Sequence, residues 1–334
     1  MLIYTPPATV RALPVIDISG STGGDVAAID AIAWEIHKAC RDTGFFYISN
    51  HGVPADLIDS QFLWARRFFA LPADVKAGLE MKRSRSLVGY EPLAGQVLDA
   101  GSPPDLKEGY YYTADLPDDD AYLRAGIRGY GGNLWPGEAA GFSGAGFRRQ
   151  MLAYFDALRS LGDRLLMLLA RSLDLPGDHF VPMFERPNAV MRLLHYPPQP
   201  ERARFNQLGA GAHTDWGGLT VLLQDDAGGL EVQNAAGEWI AAPPLPGTFV
   251  INLGDMVQRW TNDFYRSNMH RVLNHHSQAR DRYSVPFFYT PDHYARIECL
   301  PGCNGPERPV RYSPCQAGEH MMEMFNRTYD RKVS

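Results

Sequence analysis

The sequence predicts a mainly β protein with flanking helices, whose core is a jelly roll. Short β-prone segments recur after residue 186 with turn residues between them, which is typical of a β-sandwich or barrel. Eight or so such segments fit a jelly roll. Before residue 186, apolar residues recur at three-to-four spacing and predict helices in an N-terminal α/β region. A last helical pattern at about 316–329 predicts a C-terminal helix packed on the outside.

The first eighty residues are predicted to alternate strands with helices. An amphipathic helix begins after Asp25 and ends near Gly44, where the chain can turn sharply. The predicted elements are a strand at 14–19, this helix, a strand at 45–48, a turn at 50–54 and helices at about 55–70 and 73–80.

The middle of the chain is predicted to hold two loops and one long helix. Residues 81–109 are rich in basic residues, Gly, Pro and Asp, and long loops of this kind often form lids over functional sites. Strand-like composition returns at 107–112, and a second Gly-rich loop follows at 126–146. The longest helical pattern, at 147–173, is apolar over a wide arc and should pack against the core.

The predicted strands of the jelly roll share β-branched and aromatic composition and end at Gly or Pro turns. They lie at 190–196, 219–224, 230–233, 239–240, 248–252, 270–273 and 283–289.

Composition and charge exclude several classes of protein. The 334 residues carry a formal net charge of −6 without a dense basic run, so no nucleic-acid partner is expected. No apolar stretch is long enough for a membrane-spanning helix, and the first residues lack the features of a signal peptide. Four cysteines in so long a chain do not suggest a disulfide framework. We therefore expect a soluble, reduced, cytoplasmic protein that is a monomer or a weak dimer.

A candidate metal site is centred on His213-Thr214-Asp215, which lies among glycines. In an extended segment, side chains two residues apart point the same way, so an imidazole and a carboxylate can face one ion. His270 is the candidate third ligand. Two histidines and one carboxylate leave one face of the metal open, as non-haem Fe(II) oxygenases require. A His-x-Asp pair alone also arises by chance or at a turn.

A second pattern strengthens the first. Arg282 and Ser284 share one face of a predicted strand, so a guanidinium and a hydroxyl can hold one carboxylate together. This clamp begins twelve residues after His270. A metal site beside a carboxylate anchor suits a 2-oxo acid that binds the metal at one end and carries a carboxylate at the other.

These patterns together resemble the iron(II)/2-oxoglutarate-dependent dioxygenases. The similar branch includes isopenicillin N synthase, plant flavonoid and gibberellin oxygenases and the ethylene-forming enzyme. The resemblance covers nearly the whole chain, with a helical N-terminal region at 1–120 and a cupin-like double-stranded β-helix core at 186–300 in one catalytic unit. The short motifs that also carry it are Pro14-Val15-Ile16-Asp17, Thr43-Gly44-Phe45-Phe46-Tyr47, Asn50-His51-Gly52-Val53-Pro54 and Pro104-Asp105-Leu106-Lys107-Glu108-Gly109.

Carried over residue by residue, the resemblance implies that His213, Asp215 and His270 bind Fe(II). It implies that Arg282 and Ser284 hold the far carboxylate of 2-oxoglutarate, with support from Tyr196. Leu194 departs from the pattern, because plant members usually carry Asn there, and one hydrogen bond to the co-substrate is therefore in question. The co-substrates would be 2-oxoglutarate and O2, with ascorbate as an auxiliary reductant. A small organic substrate would be oxidised, commonly hydroxylated, while succinate and CO2 are released.

Several expectations concern the surroundings of this site. Trp216, Phe288 and Tyr196 are candidate cavity walls, and the loop residues Arg83, Arg85 and Tyr111 are candidates to reach the substrate. For the two arginines, a solvated charge cluster is the favoured interpretation. His195 is expected to contact a metal ligand or the substrate rather than to bind the metal itself.

The sequence leaves three alternatives open. Isopenicillin N synthase uses a matching Arg and Ser to hold its tripeptide and needs no 2-oxoglutarate. That enzyme also has a glutamine near its C-terminus, and this chain has none at 330–334. An ethylene- and succinate-forming enzyme would share the same triad and clamp. A non-catalytic jelly-roll binding protein with a structural metal is disfavoured, because structural sites usually close their coordination shell.

Overall fold

The computed structural model describes residues 4–7, 9–99, 102–199, 207–274 and 280–329, so the 330–334 terminus weighed above lies outside the described residues. Fourteen strands and seven α-helices are described within these ranges. The strands are β1 (Val15–Asp17), β2 (Phe45–Ser49), β3 (Gly89–Glu91), β4 (Glu108–Tyr112), β5 (Asn188–Tyr196), β6 (Ala210–His213), β7 (Leu219–Gln224), β8 (Leu230–Gln233), β9 (Trp239–Ala241), β10 (Thr248–Leu253), β11 (His270–Val272), β12 (Arg282–Thr290), β13 (Arg296–Ile297) and β14 (Cys315–Gln316). The helices are α1 (Val26–Asp42), α2 (Ala55–Phe69), α3 (Ala73–Gly78), α4 (Ala121–Arg124), α5 (Gly144–Ser172), α6 (Asp255–Trp260) and α7 (Ala317–Tyr329).

Two sheets form the core. The larger has eight strands in the order β1-β2-β10-β7-β12-β5-β4-β3, and the smaller has four in the order β6-β11-β8-β9. Strands β5 to β12 are thus divided between the two sheets, as in a double-stranded β-helix, and the predicted jelly roll is confirmed. Strands β1 to β4 extend the larger sheet at both edges, so the N-terminal region is built into the same sheet as the core.

Each strand of the larger sheet presents alternate side chains to two different interiors. One set packs against the smaller sheet; its buried members include Phe45, Tyr47, Leu194, Tyr196 and Val250. The other set joins the buried faces of α1, α2 and α5 in the larger hydrophobic cluster. The interior between the sheets is the smaller of the two, and it holds the candidate site.

The long helix α5 begins three residues earlier than the pattern predicts. The side-chain oxygen of Ser143 accepts a hydrogen bond from the backbone N–H of Gly146 and caps the helix. Glycines in the first turn hid this start, because glycine is a poor helix former. Its apolar face packs on α1 and α2 against the larger sheet, as expected.

Several short elements were not predicted from the sequence. Residues 81–109 are not one long loop, because a short 3₁₀ helix (Met81–Arg83) and the edge strand β3 lie in this range. β6 consists of Ala, Gly and His, which carry little strand propensity, and it forms because it pairs with β11. α6 has only six residues, too few for a periodic pattern. Among the described residues, every helix is too short or too polar to cross a bilayer.

Candidate metal centre and its two cavities

Three side chains predicted to bind metal meet in the interior between the sheets. One ligand atom from each of His213, Asp215 and His270 lies within 4.8 Å of the other two. The Oδ1 atom of Asp215 is 3.9 Å from Nε2 of His213 and 3.8 Å from Nε2 of His270. Two imidazoles and one carboxylate at these separations can hold a divalent first-row metal on one face. The donor set therefore fits Fe(II).

Strand pairing brings the two histidines together. His213 is the last residue of β6 and His270 the first of β11, and the two residues are direct register partners. Asp215 follows two residues later, just beyond the end of β6 rather than within an extended strand as expected. Its backbone carbonyl accepts a hydrogen bond from the N–H of Asp255 at the start of α6. The short helix α6, which the sequence pattern did not predict, therefore fixes the segment that carries the carboxylate.

The two oxygens of Asp215 have different tasks. Oδ2 accepts hydrogen bonds from Thr220 Oγ1 at 2.6 Å and from Asn252 Nδ2 at 2.7 Å, which leaves Oδ1 facing the histidines. Burial alone would raise the pKa of Asp215, but the neighbouring imidazoles and these two hydrogen bonds outweigh it and lower that pKa. Asp215 is thus held as a carboxylate with a single oxygen directed to the metal position.

The tautomer of His213 is set by the backbone. Its Nδ1–H donates to the carbonyl oxygen of Gly211 at 2.7 Å, so Nε2 is the atom that faces Asp215. Burial, followed by the neighbouring His270, lowers the pKa of His213. A neutral imidazole with Nε2 unprotonated is the form that binds a metal.

The predicted carboxylate clamp lies in the same interior. Arg282 and Ser284 both point inward from β12, and Arg282 is the register partner of Tyr196 on β5. The guanidinium donates to the carbonyl oxygen of Gly228 at 2.6 Å and to Ser284 Oγ at 3.3 Å, and it lies 4.6 Å from the centre of the Tyr196 ring.

Arg282 is buried without a counter-charge. It is only 1% exposed, yet within the described ranges its contacts are a carbonyl, a hydroxyl and an aromatic ring, none of them a carboxylate. An uncompensated buried cation is costly unless an anion binds to it. This position therefore favours a bound carboxylate.

Two cavities meet at the three candidate metal ligands. The smaller, of about 60 Å³, is lined by Arg282, Ser284, Tyr196 and Leu194 as well as by the three ligands. The larger, of about 210 Å³, is lined mainly by apolar and aromatic side chains and by two of the ligands, His213 and Asp215. The smaller cavity has the anchor for an anion, and the larger has room for a second molecule next to the same metal position.

Alternate residues of β5 and β12 point inward, so the residues that line the two cavities follow one another along these strands. From the clamp outward, the inward residues of β12 are Arg282, Ser284, Pro286, Phe288 and Thr290, and those of β5 are Tyr196, Leu194, Arg192, Val190 and Asn188. The first members of each series line the smaller cavity, the last line the larger one, and Arg192 and Phe288 line both. Leu194 lines the smaller cavity without offering the amide found in plant members.

Sequence reasoning missed two buried cations at these cavities. Arg192 lies between Val190 and Leu194 on the predicted strand, and its period of two with Tyr196 could have placed it on the inner face. Lys107 lines the smaller cavity and forms a buried ion pair with Asp105. Asp105 Oδ1 accepts a hydrogen bond from the N–H of Gly211, the residue whose carbonyl orients His213.

The predicted wall residues are only partly borne out. Trp216, Phe288 and Tyr111 line the larger cavity and Tyr196 the smaller one. Arg83 and Arg85 are exposed and line neither. They form the solvated charge cluster that the sequence favoured for them rather than a substrate contact, and the segment around them is held in the 3₁₀ helix and the turn before β3.

His195 points away from both cavities, to the helix side of β5. Its Nδ1 lies 2.7 Å from Glu108 Oε1 and its Nε2 lies 2.8 Å from Asp281 Oδ1, and its ring stacks on Tyr283. Burial lowers the pKa of His195, but the two carboxylates outweigh it and raise that pKa. His195 is thus a charged link between β4, β5 and β12. The expectation that it contacts a metal ligand or the substrate was wrong, because its position on β5 directs it to the opposite face of the sheet.

Comparison with known proteins agrees with this geometry. Residues 187–291 match the 2OG-Fe(II) oxygenase superfamily, and residues 13–138 match the N-terminal family described as non-haem dioxygenase in morphine synthesis. A 2-oxoglutarate-Fe(II) type oxidoreductase of Emericella nidulans is 37% identical, over 96% of this chain and 91% of that protein. A 2-oxoglutarate-dependent dioxygenase of Monascus ruber is 40% identical, over 96% of this chain and 97% of that protein.

A solved structure shows the same architecture. The crystal structure of a full-length Neurospora crassa protein in complex with alpha-KG (2-oxoglutarate) and thymine superimposes with a TM-score of 0.81 at 29% identity, over 94% of this chain and 96% of that one. The relatives, the two family matches and the donor set agree on an oxidoreductase that uses Fe(II), 2-oxoglutarate and O2. The chain is a member of the 2OG-Fe(II) oxygenase superfamily.

Proposed function

We propose that this dioxygenase binds Fe(II) through His213, Asp215 and His270 and holds the far carboxylate of 2-oxoglutarate on Arg282 and Ser284. The observation that carries the proposal is the buried guanidinium of Arg282, which has no carboxylate partner among the described residues and opens on the cavity that holds the three ligands. A charge-assisted bond to a dicarboxylate would satisfy it.

The formal charges support this assignment. Fe(II) contributes two positive charges and Arg282 one, whereas Asp215 contributes one negative charge and 2-oxoglutarate two. The Lys107–Asp105 pair is neutral as a unit. The filled site is therefore neutral overall, as a buried site must be to avoid a large desolvation cost.

Each protein group has a defined task in this proposal. When bound, Fe(II) and 2-oxoglutarate supply the oxidising chemistry, in which O2 and 2-oxoglutarate yield succinate, CO2 and one oxygen atom for the substrate. Thr220 and Asn252 orient the Asp215 carboxylate, and the carbonyl of Gly211 orients His213. Tyr196 packs its ring on Arg282 and keeps the guanidinium directed at the cavity.

We propose that the substrate is a small molecule with a ring, bound in the larger cavity, and that a C–H bond of it becomes C–OH. Trp216, Phe288 and Tyr111 supply aromatic walls for such a ring. The thymine in the complex of the Neurospora crassa protein, which has the same architecture, supports a small planar molecule. Two alternative reactions differ from this proposal. An ethylene-forming reaction would not need a ring-containing substrate in the larger cavity, and an oxidation without 2-oxoglutarate would release no succinate.

A cytoplasmic location and a monomer or weak dimer remain part of the proposal. All four cysteines are unpaired, as expected in a reducing compartment.

The test compares two arginines two residues apart. Iron-loaded wild-type protein should release succinate slowly from 2-oxoglutarate and O2 without substrate, and Arg282→Ala should raise the KM for 2-oxoglutarate by about 100-fold, the loss expected for one buried charge-assisted pair. Arg280→Ala is the matched control, because Arg280 forms an exposed ion pair with Asp226. Equal KM values for 2-oxoglutarate in both variants would show that Arg282 does not hold the co-substrate. If iron-loaded wild-type protein released no succinate, the proposed function would be overturned.

A further inference from the structure

The wall where the larger cavity meets the candidate metal ligands carries an arginine that belongs to an ion pair. Arg192 borders both cavities, and its Nη2 donates to Glu91 Oε2 at 3.1 Å and to Gln96 Oε1 at 3.4 Å. Its Cζ lies 4.1 Å from the centre of the Tyr111 ring. The side chains of Arg192 and Glu91 are 11% and 5% exposed, so most of this ion pair is shielded from solvent.

Three neighbouring strands hold the pair in place. Tyr111 on β4 is the register partner of Arg192 on β5, and β3, which carries Glu91, pairs with β4 on the other side. The Tyr111 hydroxyl donates to Glu91 Oε2 at 2.8 Å. Glu91 is not among the residues that line the cavity, but its carboxylate is hydrogen-bonded to Tyr111 and Arg192, which are. Its carboxylate therefore cancels the charge of Arg192 without meeting the substrate.

Arg192 and Arg282 both line the smaller cavity, but they differ in whether a carboxylate neutralises them. Arg282 has neutral partners and favours an anion, whereas Arg192 is paired with a buried carboxylate. Without the Glu91 carboxylate, the ion pair of Arg192 would be lost, and a carboxylate ligand could bind at either guanidinium. Glu91 thus leaves Arg282 as the preferred position for an anion and neutralises the guanidinium that borders both cavities.

We propose that Glu91 determines substrate class: the larger cavity accepts uncharged molecules with a ring and rejects carboxylates. This inference rests on the proposed position of the substrate in the larger cavity. A carboxylate placed there would lose its hydration and meet a guanidinium that is already paired, which is unfavourable. A neutral ring loses little hydration and gains contact with Trp216, Phe288 and Tyr111.

Arg128 is the other guanidinium of the larger cavity. Its Cζ lies 3.9 Å from the centre of the Phe325 ring of α7. Because its guanidinium also lines this cavity, Arg128 is included in the test as an alternative binding position for an anion.

The test uses benzamide and benzoate, which have nearly the same shape and differ in charge. Their dissociation constants are measured by equilibrium titration on protein loaded with Fe(II) and 2-oxoglutarate under anaerobic conditions. Wild-type protein should bind benzamide at least about tenfold more tightly than benzoate, a difference of about 1.4 kcal/mol. Glu91→Gln, which keeps the shape and removes the charge, should reverse the preference, and high concentrations of 2-oxoglutarate should then compete with benzoate.

Two further variants distinguish an effect of charge from an effect of altered structure. Tyr111→Phe removes a hydrogen bond to Glu91 but keeps both charges, so the preference for benzamide should persist. Glu91→Gln combined with Arg192→Met restores neutrality and should abolish the benzoate binding gained by Glu91→Gln alone.

Several results would overturn the inference. These are equal or tighter benzoate binding by wild-type protein, benzoate binding that Arg128→Met abolishes, an unchanged preference in Glu91→Gln, or no benzamide binding at all. Failure of the proposed function is a separate result, because it would appear as absent iron-dependent succinate release in wild-type protein, whereas the two ligands can also be titrated on metal-free protein.

Discussion

His213 and His270 are direct partners across the antiparallel pair β6–β11, and their ring centres lie 4.2 Å apart. A single register position therefore brings together two candidate ligands that are 57 residues apart in the sequence. Asp215 reaches the same point only because the chain turns after β6 and is held by the start of α6. Because a one-residue slip in pairing would turn one histidine to the other face, the register of β6 is part of the proposed metal site.

The hydrogen bonds to Asp215 should control metal affinity. Asn252→Ala removes the 2.7 Å bond to Oδ2 and leaves Thr220 as the remaining donor, so the carboxylate can rotate. We expect Fe(II) affinity to fall by about tenfold to 100-fold, the usual effect of losing a group that orients a metal ligand. Competition with a chelator of known affinity measures this. Asn133→Ala is a control outside the site, because Asn133 is bonded to Thr113 and Asp115 and lines neither cavity. An Fe(II) affinity in Asn252→Ala equal to that of wild type would contradict the role given to Asn252.

The shape of the clamp, and not its charge alone, should matter for 2-oxoglutarate. Arg282→Lys keeps a positive charge but loses the planar fork and the Nε–H that is fixed on the Gly228 carbonyl. We expect the KM for 2-oxoglutarate to rise by about tenfold, less than in Arg282→Ala, and iron content to stay unchanged. If Lys supports the same KM as Arg, then the hydrogen-bond geometry at Ser284 and Gly228 has no part in binding.

The Asp105–Lys107 pair should stabilise the fold and orient His213. Asp105→Asn would leave Lys107 as a buried, unpaired charge and should lower the free energy of unfolding by about 3 kcal/mol. Adding Lys107→Met removes that charge and should recover part of the loss. Urea unfolding of metal-free protein measures both. Strictly additive losses would show that the two side chains are not coupled.

The charged link at His195 predicts a pH dependence of stability. The folded-state pKa of His195 is raised above the unfolded value of about 6.5, so its contribution is complete below that pH and is lost as pH rises through the folded pKa. The difference in unfolding free energy between wild type and His195→Gln should therefore be larger at pH 6 than at pH 9. Urea unfolding at both pH values checks this, and a difference that grows with pH would be inconsistent with a charged His195.

Sequence patterns predicted the parts of the site that follow from strand periodicity. Arg282 and Ser284 share a face because they are two residues apart in a strand, and the strand at 283–289 was recognisable from its aromatic and β-branched residues. Most helices and core strands were predicted within a few residues, because they are long or strongly patterned. The proposed clamp could therefore be predicted from the sequence.

The remaining features depend on contacts between distant segments. β6 has weak strand propensity and exists through its pairing with β11, and α6 is too short to show a period. The pairing of Arg192 with Glu91 joins positions 101 residues apart, and that of Lys107 with Asp105 lies in a segment predicted as a loop. Charge compensation of this kind has no local signature, which is why the sequence suggested Arg83 and Arg85 and missed Arg192.

The most direct test of the account is an anaerobic titration of the Fe(II)-loaded protein with 2-oxoglutarate, followed by visible absorption. Chelation of iron by the 2-oxo acid should give a weak charge-transfer band that saturates at one equivalent of co-substrate in wild-type protein. Arg282→Ala should need a far higher concentration to give the same band. An iron-loaded wild-type protein that gives no band at any concentration would contradict the central claim that these residues hold 2-oxoglutarate beside the metal.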